Sequence, residues 1–312
     1  MICNKFFQQG SALLSALFFM TLIAIVATAM TRHIYLDIYR TRIAITSDKL
    51  YQASQKTTFW FMGQLLDKKN KFHQQFGNGI VAKFPRNLQD KDSPIAISGC
   101  LYDLQSRFNI NNLRDSKYHG VFLNLLKTLN INNNISKDLV LNTSIWIKKY
   151  QNSRYDDQLL TFYSSQKPPY YPAFQPMHHL SEFRLVKGVT PQIYNKLLPY
   201  LTALPDITPI NINTASKKLM MSLGDTSARD YTNALITQRG EKGIDDLNSI
   251  NPLIEKENLP MTQLTIDSQY FLAVSNAHED DRSLTTYTIL KRKKSNDGKL
   301  TLSLILHSIN SF

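Results

Sequence analysis

The sequence predicts an α+β protein in which a long N-terminal helix packs on an antiparallel sheet that carries a large all-helical insertion. Three observations predict it. The chain opens with an apolar run that passes without a break into an amphipathic one, its middle has helical periodicity, and its end switches to period two. Strands early, helices in the middle and strands again at the end describe one sheet interrupted once.

The opening run is Gly10 to Met30. No charged side chain lies between Lys5 and Arg32, and from Ala12 to Met30 the polar side chains are Ser15, Thr21 and Thr28 alone. Twenty helical residues span roughly 30 Å, the thickness of a bilayer's hydrocarbon core. Beyond it, Ile34, Ile38 and Ile45 keep helical spacing among Arg32, Asp37, Arg40 and Arg42. Phe61, Leu65 and Leu66 extend the apolar side, with no Pro or Gly between Gly10 and Gly63. One helix of about fifty residues is expected. Cleavage as a secretory signal after Ala27-Thr28-Ala29 and a plain membrane anchor are the competing readings.

Apolar residues make up 43% of the 312, and the formal charge is +12 with a pI near 9.5, which favours anionic partners. The longest like-charge block is Lys291 to Lys294, so dispersed, solvated lysines account for most of that charge. Of the two cysteines, Cys3 precedes Gly10, and Cys100 is expected to be a small buried hydrophobe. No nucleophile, phosphate loop or spaced metal-ligand string stands out, so a non-enzyme is expected.

Taken in order, the segments around GIVAKF and PIAISGCLYDL read as two or three strands. In DLQSRFNINNL, Asp103 to Leu113, Asn109, Asn111 and Asn112 suit a turn or helix start, and Asp103 with Arg107 suits a hydrogen-bond network. VFLNLLKTLNI and SKDLVLNTSIWIKKYQ read as helices, the second capped by Ser136. Asp156 and Asp157 are expected in a polar loop before a proline-rich wrap from Pro168 to Pro176. His178 and His179 diverge as neighbours, and a surface or capping role is expected. SQYFLAVSNA, SLTTYTILKRK and KLTLSLILHSI read as three strands, the last two joined by an Asn296-Asp297-Gly298 turn.

The N-terminus resembles the type IV pilin and pseudopilin signature: a short leader ending in Gly10, a small residue, a helix-long apolar run and an amphipathic continuation. The resemblance implies a pilin-like fold, cleavage by prepilin peptidase between Gly10 and Ser11, and methylation of Ser11. Helix packing through Leu13, Leu14, Leu17, Phe18, Leu22 and Ile25 follows from it. Most family members carry Glu at the fifth mature position, which here is Ser15. A carboxylate inside a bilayer costs about 2.5–3.5 kcal/mol unless it meets a partner, and a subunit with nothing above it in a fibre has none to meet.

Two further stretches are similar to the K family of type II secretion minor pseudopilins. One is the Asp103, Leu104, Arg107, Asn109, Asn112 segment. The other is Ser181 to Ser216, with Glu182, a Gly188 turn and the Asn211, Asn213, Thr214 string. This family implies a tip role beside the I and J minor subunits and the major pseudopilin, on an inner-membrane secretion platform that supports export across the outer membrane. It implies a cytoplasmic N-terminus and a periplasmic head, although the basic flank of Arg32, Arg40 and Arg42 argues the other way. The expected divisions are leader 1–10, transmembrane helix 11–31, helix continuation and first strands 32–100, helical SAM-like subdomains 101–208 and 209–267, and closing strands 268–312. Calcium is the one cofactor the family brings in. Asp156 and Asp157 are the candidate ligands, but with no spaced ligand string two solvated aspartates is the favoured reading. The alternative is a membrane-anchored helix-hairpin-helix DNA-uptake protein, because residues 210–250 resemble such hairpins. Its turn, however, reads Leu223-Gly224-Asp225, with a carboxylate where a phosphate would approach. The return to strands also disfavours it.

Overall fold

The computed structural model describes residues 9–73, 76–89, 93–150, 154–224, 228–256, 259, 261–295 and 297–311. Cys3, Asp225 and Asn296 lie outside the described residues, as do positions 1–8 of the expected leader. Helix α1 runs Gln9–Leu66 as one element, longer than the expected fifty residues, because no Pro or Gly interrupts it before Gly63. The chain divides into two units, Met1–Ala53 and Ser54–Phe312.

The first unit is helix. Its apolar side chains are solvent-facing, among them Leu13, Leu14, Leu17, Phe18, Leu22 and Ile25. Its most apolar stretch has a mean hydropathy of 2.4, long and apolar enough to cross a membrane. Each hydroxyl there bonds to the helix's own carbonyls: Ser15 to Ser11 at 2.8 Å, Thr21 to Phe18 at 2.8 Å and Thr28 to Ala24 at 2.7 Å. A helix in lipid needs this, because an unmet polar group has no water to turn to.

In the second unit the last turns of α1 bury Ser54, Thr57, Thr58, Phe61 and Leu65, a stripe at helical spacing. That stripe packs on a five-stranded antiparallel sheet. Its strands are β1 (Ile80–Lys83), β2 (Ala96–Asp103), β7 (Tyr270–Glu279), β8 (Arg282–Lys294) and β9 (Leu300–Ile309), in the order β1-β2-β7-β8-β9. Phe61 and Leu65 meet Leu101, Phe271, Ala273 and Leu290 on one face. The alternate residues Tyr270, Leu272 and Ile289 meet Leu104 and Leu204 on the other. The sheet is covered on both sides, which is why β7 reads as the unbroken apolar run Tyr270 to Val274. At Gly99 helix and sheet touch most closely: a Cβ there would lie 2.5 Å from the Thr57 methyl and 2.8 Å from the Val274 carbonyl.

The chain leaves the sheet after Asp103 and returns at Tyr270, where β2 and β7 pair directly, Asp103 opposite Phe271. Everything between is the insertion. It holds α2 (His119–Thr128), α3 (Asn133–Ile147), α4 (Arg154–Ser164), α5 (Pro191–Leu197), α6 (Lys217–Met220), α7 (Ala228–Arg239) and α8 (Asn251–Lys256) around a core of its own. Two short parallel ladders tie it together: β3 (Phe108–Asn109) with β4 (Leu201–Thr202), and β5 (Ile210–Asn211) with β6 (Leu264–Thr265).

Several expectations need correction. Asn132, not Ser136, caps α3, since its side chain accepts the Asn134 N–H at 2.9 Å; Ser136 lies inside and donates to the Asn132 carbonyl. Asp156 and Asp157 lie in the first turn of α4 rather than in a loop, where carboxylates favour the helix dipole. Cys100 is half-buried rather than enclosed, and burial raises its thiol pKa. Glu182 lies in a 3-10 turn, Leu180–Leu185.

Candidate functional site

Of the residues singled out in the sequence, Asp103, Leu104, Asn211 and Thr214 gather at the seam where the insertion joins the sheet. Asp103, the last residue of β2, is buried, and its carboxylate takes four hydrogen bonds. The Thr214 hydroxyl donates at 2.5 Å, the Ser268 hydroxyl at 2.7 Å, the Asn211 amide at 2.9 Å and the Gln105 backbone N–H at 2.8 Å. Burial raises its pKa, with the four donors pulling the other way. Leu104, also fully buried, packs beside Leu204 and Tyr270. One carboxylate therefore joins the end of β2 to Asn211 and Thr214 within the insertion and to Ser268 just before β7.

Two asparagine strings hold the insertion's ladders. Asn109 accepts the N–H groups of Asn111 and Leu204 and donates to the Asp206 carbonyl at 2.7 Å. Asn111 then clips the backbone of Met177 from both sides, accepting its N–H at 2.8 Å and donating to its carbonyl at 2.9 Å. Asn112 does the same to Thr208 at 3.0 and 2.7 Å. The second string repeats this logic. Asn211 accepts the Asn213 N–H at 2.9 Å, and Asn213 clips Ile244 at 2.7 and 2.9 Å. Buried backbone groups need partners, and these side chains supply them where no regular strand does. Sequence reasoning left Asn111, Gln105 and Ser268 out of the site. The signal for Asn111 was in plain view, since Asn-Ile-Asn occurs at 109–111 and again at 211–213.

Other contacts lock insertion to sheet. Asp206 accepts the Tyr270 hydroxyl at 2.5 Å and pairs with Lys291, so its carboxyl sits below the usual range while burial pushes Tyr270 up to about 12. His73, after α1, is within bonding distance of Asp245 (3.1 Å) and Asp267 (3.2 Å). Glu182 accepts the N–H groups of His178 and His179 at 2.8 and 3.1 Å, so the histidine backbone is capped. Gly188, at φ +92°, makes the turn before α5 that a side chain would strain. Arg107 stands apart: its side chain has no hydrogen bond or ion pair among the described residues.

Asp156 is buried while Asp157 is exposed and accepts the Tyr150 hydroxyl at 2.9 Å. Among the described residues no three of His, Cys, Asp and Glu come together as metal ligands. The hairpin turn is likewise unsuited to phosphate. The Gly224 N–H is taken by the Tyr231 hydroxyl at 2.8 Å, and the ring crowds the glycine where a phosphate oxygen would sit.

The family description "Type II secretion system (T2SS), protein K" matches residues 106–206, the segment from the Asp103 seam through the first asparagine string and the Gly188 turn. The protein K of Aeromonas hydrophila is 26% identical across 93% of this chain and 94% of its own length. The chain is similar to protein K of type II secretion systems. The Pseudomonas aeruginosa protein K is 28% identical over 64% of this chain and 61% of that protein. In fold, the chain is similar to one in the crystal structure of the GspK-GspI-GspJ complex from the enterotoxigenic Escherichia coli type 2 secretion system. That likeness has a TM-score of 0.69 at 22% identity, over 88% of this chain and all of the other.

Proposed function

We propose that this chain is a minor pseudopilin that forms the tip of the type II secretion pseudopilus together with the I and J minor subunits, and so supports protein export across the outer membrane. The observation that carries this reading is the insertion's placement. It leaves and rejoins the sheet between two paired strands and covers the face opposite α1, so a pilin-like body carries on that face a mass that an ordinary fibre subunit lacks. Ser15, bonded to its own helix, needs no partner above it, as suits a terminal subunit.

In this reading the N-terminus is cytoplasmic, the helix is held in the inner membrane until it is drawn into the fibre, and the head is periplasmic. Prepilin peptidase cuts after Gly10 and methylates Ser11, and the major pseudopilin and the inner-membrane platform are the remaining partners. The work is structural and not catalytic, and nucleic acid is not a partner. Mass spectrometry of the membrane-extracted protein tests the assignment: a mature N-terminus at methylated Ser11 is expected, whereas Met1 or Met30 overturns it. Gly10→Asp is expected to leave the leader attached on an immunoblot and to stop secretion. Ser15→Glu is expected to secrete at close to the normal level.

A further inference from the structure

Three half-buried arginines of the head end on carbonyl oxygens. Arg239 donates to Ile212 and Ala215, Arg114 to Asn111 and Pro205, and Arg292 to Asn70. Arg107 does not. Its side chain is half-buried at the seam, yet the nearest carboxylate in sequence, Asp103, is filled by its four donors. A half-buried cation with no acceptor from its own chain among the described residues keeps its N–H groups open to one from outside, and burial lowers its pKa.

Arg107 lines two clefts. One, about 370 Å³, runs between the first helical subdomain and the sheet, with Leu180, Leu198, Leu201, Ile289 and Leu306 among its walls. The other, about 420 Å³, is walled by Tyr102, Ser106, Tyr200, Thr214 and Ser216. No Asp or Glu lines either cleft among the described residues, while His178 and His179 add further donors to the first. A planar fork of N–H donors in a partly apolar, acid-free cleft is matched by a carboxylate flanked by apolar groups.

We propose that Arg107 anchors a docking cleft for a partner polypeptide, whose acidic side chain it takes in a bidentate pair while flanking apolar side chains fill the Leu198–Leu306 wall. The proposal stands apart from the tip reading, since it needs only the cleft and the unpaired guanidinium.

The test uses the full chain in detergent micelles and two capped tripeptides, Leu-Glu-Leu and its neutral isostere Leu-Gln-Leu, titrated by calorimetry. The Glu peptide is expected to bind about tenfold more tightly than the Gln peptide, and Arg107→Gln is expected to abolish that preference with the melting temperature unchanged. Equal binding of the two peptides, saturation by neither, or a preference that survives in Arg107→Gln overturns the proposal. Should that variant fail to fold, phenylglyoxal modification of the wild-type chain decides. The Glu peptide is expected to slow reaction at Arg107 at least about fivefold while the Gln peptide does not; an unchanged rate overturns the proposal. Acetate at the same concentration giving equal protection would make this a site for a free small carboxylate, and overturns the polypeptide partner.

Discussion

Asp103 shows what a single side chain does at a seam. Three donors, from Asn211, Thr214 and Ser268, converge on one of its oxygens. Asp103→Ala would strand them in a buried site, and the expected loss is about 3–5 kcal/mol in urea unfolding. The same residue sets a pH dependence. Its folded-state pKa is raised, so its contribution is fully present below the unfolded value of about 4 and is lost as pH rises through the folded-state pKa. Wild-type stability is expected to fall over that window, and the fall is expected to be absent in Asp103→Asn, measured as urea midpoints against pH. Asp103's place in a network was readable from its company of polar residues, but its partners at 211, 214 and 268 were not, because they arrive from more than a hundred residues away. The isolation of Arg107 was hidden for the same reason: only the fold shows which carboxylates are already engaged.

At the scale of elements, local pattern decided what could be read. Strands β8 and β9 were legible from their period-two alternation, β7 from its short apolar run and α1 from its long unbroken one. The Asp156-Asp157 pair was misplaced because polarity near prolines suggested a loop, where the first turn of α4 accommodates carboxylates equally well. The cap of α3 is Asn132, which offers the same chemistry as Ser136 one turn earlier. The twin asparagine strings make a sharper prediction. Asn111→Ala should speed hydrogen exchange at the Met177 amide and Asn213→Ala at the Ile244 amide, each costing about 1–3 kcal/mol and each leaving the other subdomain's protection intact. Gly99→Val would drive a side chain into Thr57 and the Val274 carbonyl where helix meets sheet, and a loss of at least about 1–3 kcal/mol is expected in thermal unfolding.

At the scale of the whole molecule, the apolar stretch of α1 is the feature most sensitive to a single charge. Leu17→Lys, at a position 61% exposed on the helix, should cost about 2.5–3.5 kcal/mol of membrane insertion and shift the protein toward the carbonate-soluble fraction. The two-part plan of helix-on-sheet body and insertion was visible in the order of patterns along the chain. The way the insertion covers the sheet's second face was not, because β7 reads as an apolar run whether its cover is a helix or a neighbouring subunit.

The direct pairing of β2 with β7 also dictates a timetable. On a ribosome, the second strand emerges long before its mate, and every residue of the helical mass must be made in between. Until the last seventh or so of the polypeptide has been synthesised, the grease of Phe61 and Leu65 has only a fragment of its resting place. A nascent chain stalled at residue 269 should therefore be held by chaperones or degraded, however well its asparagine-clipped middle has already formed.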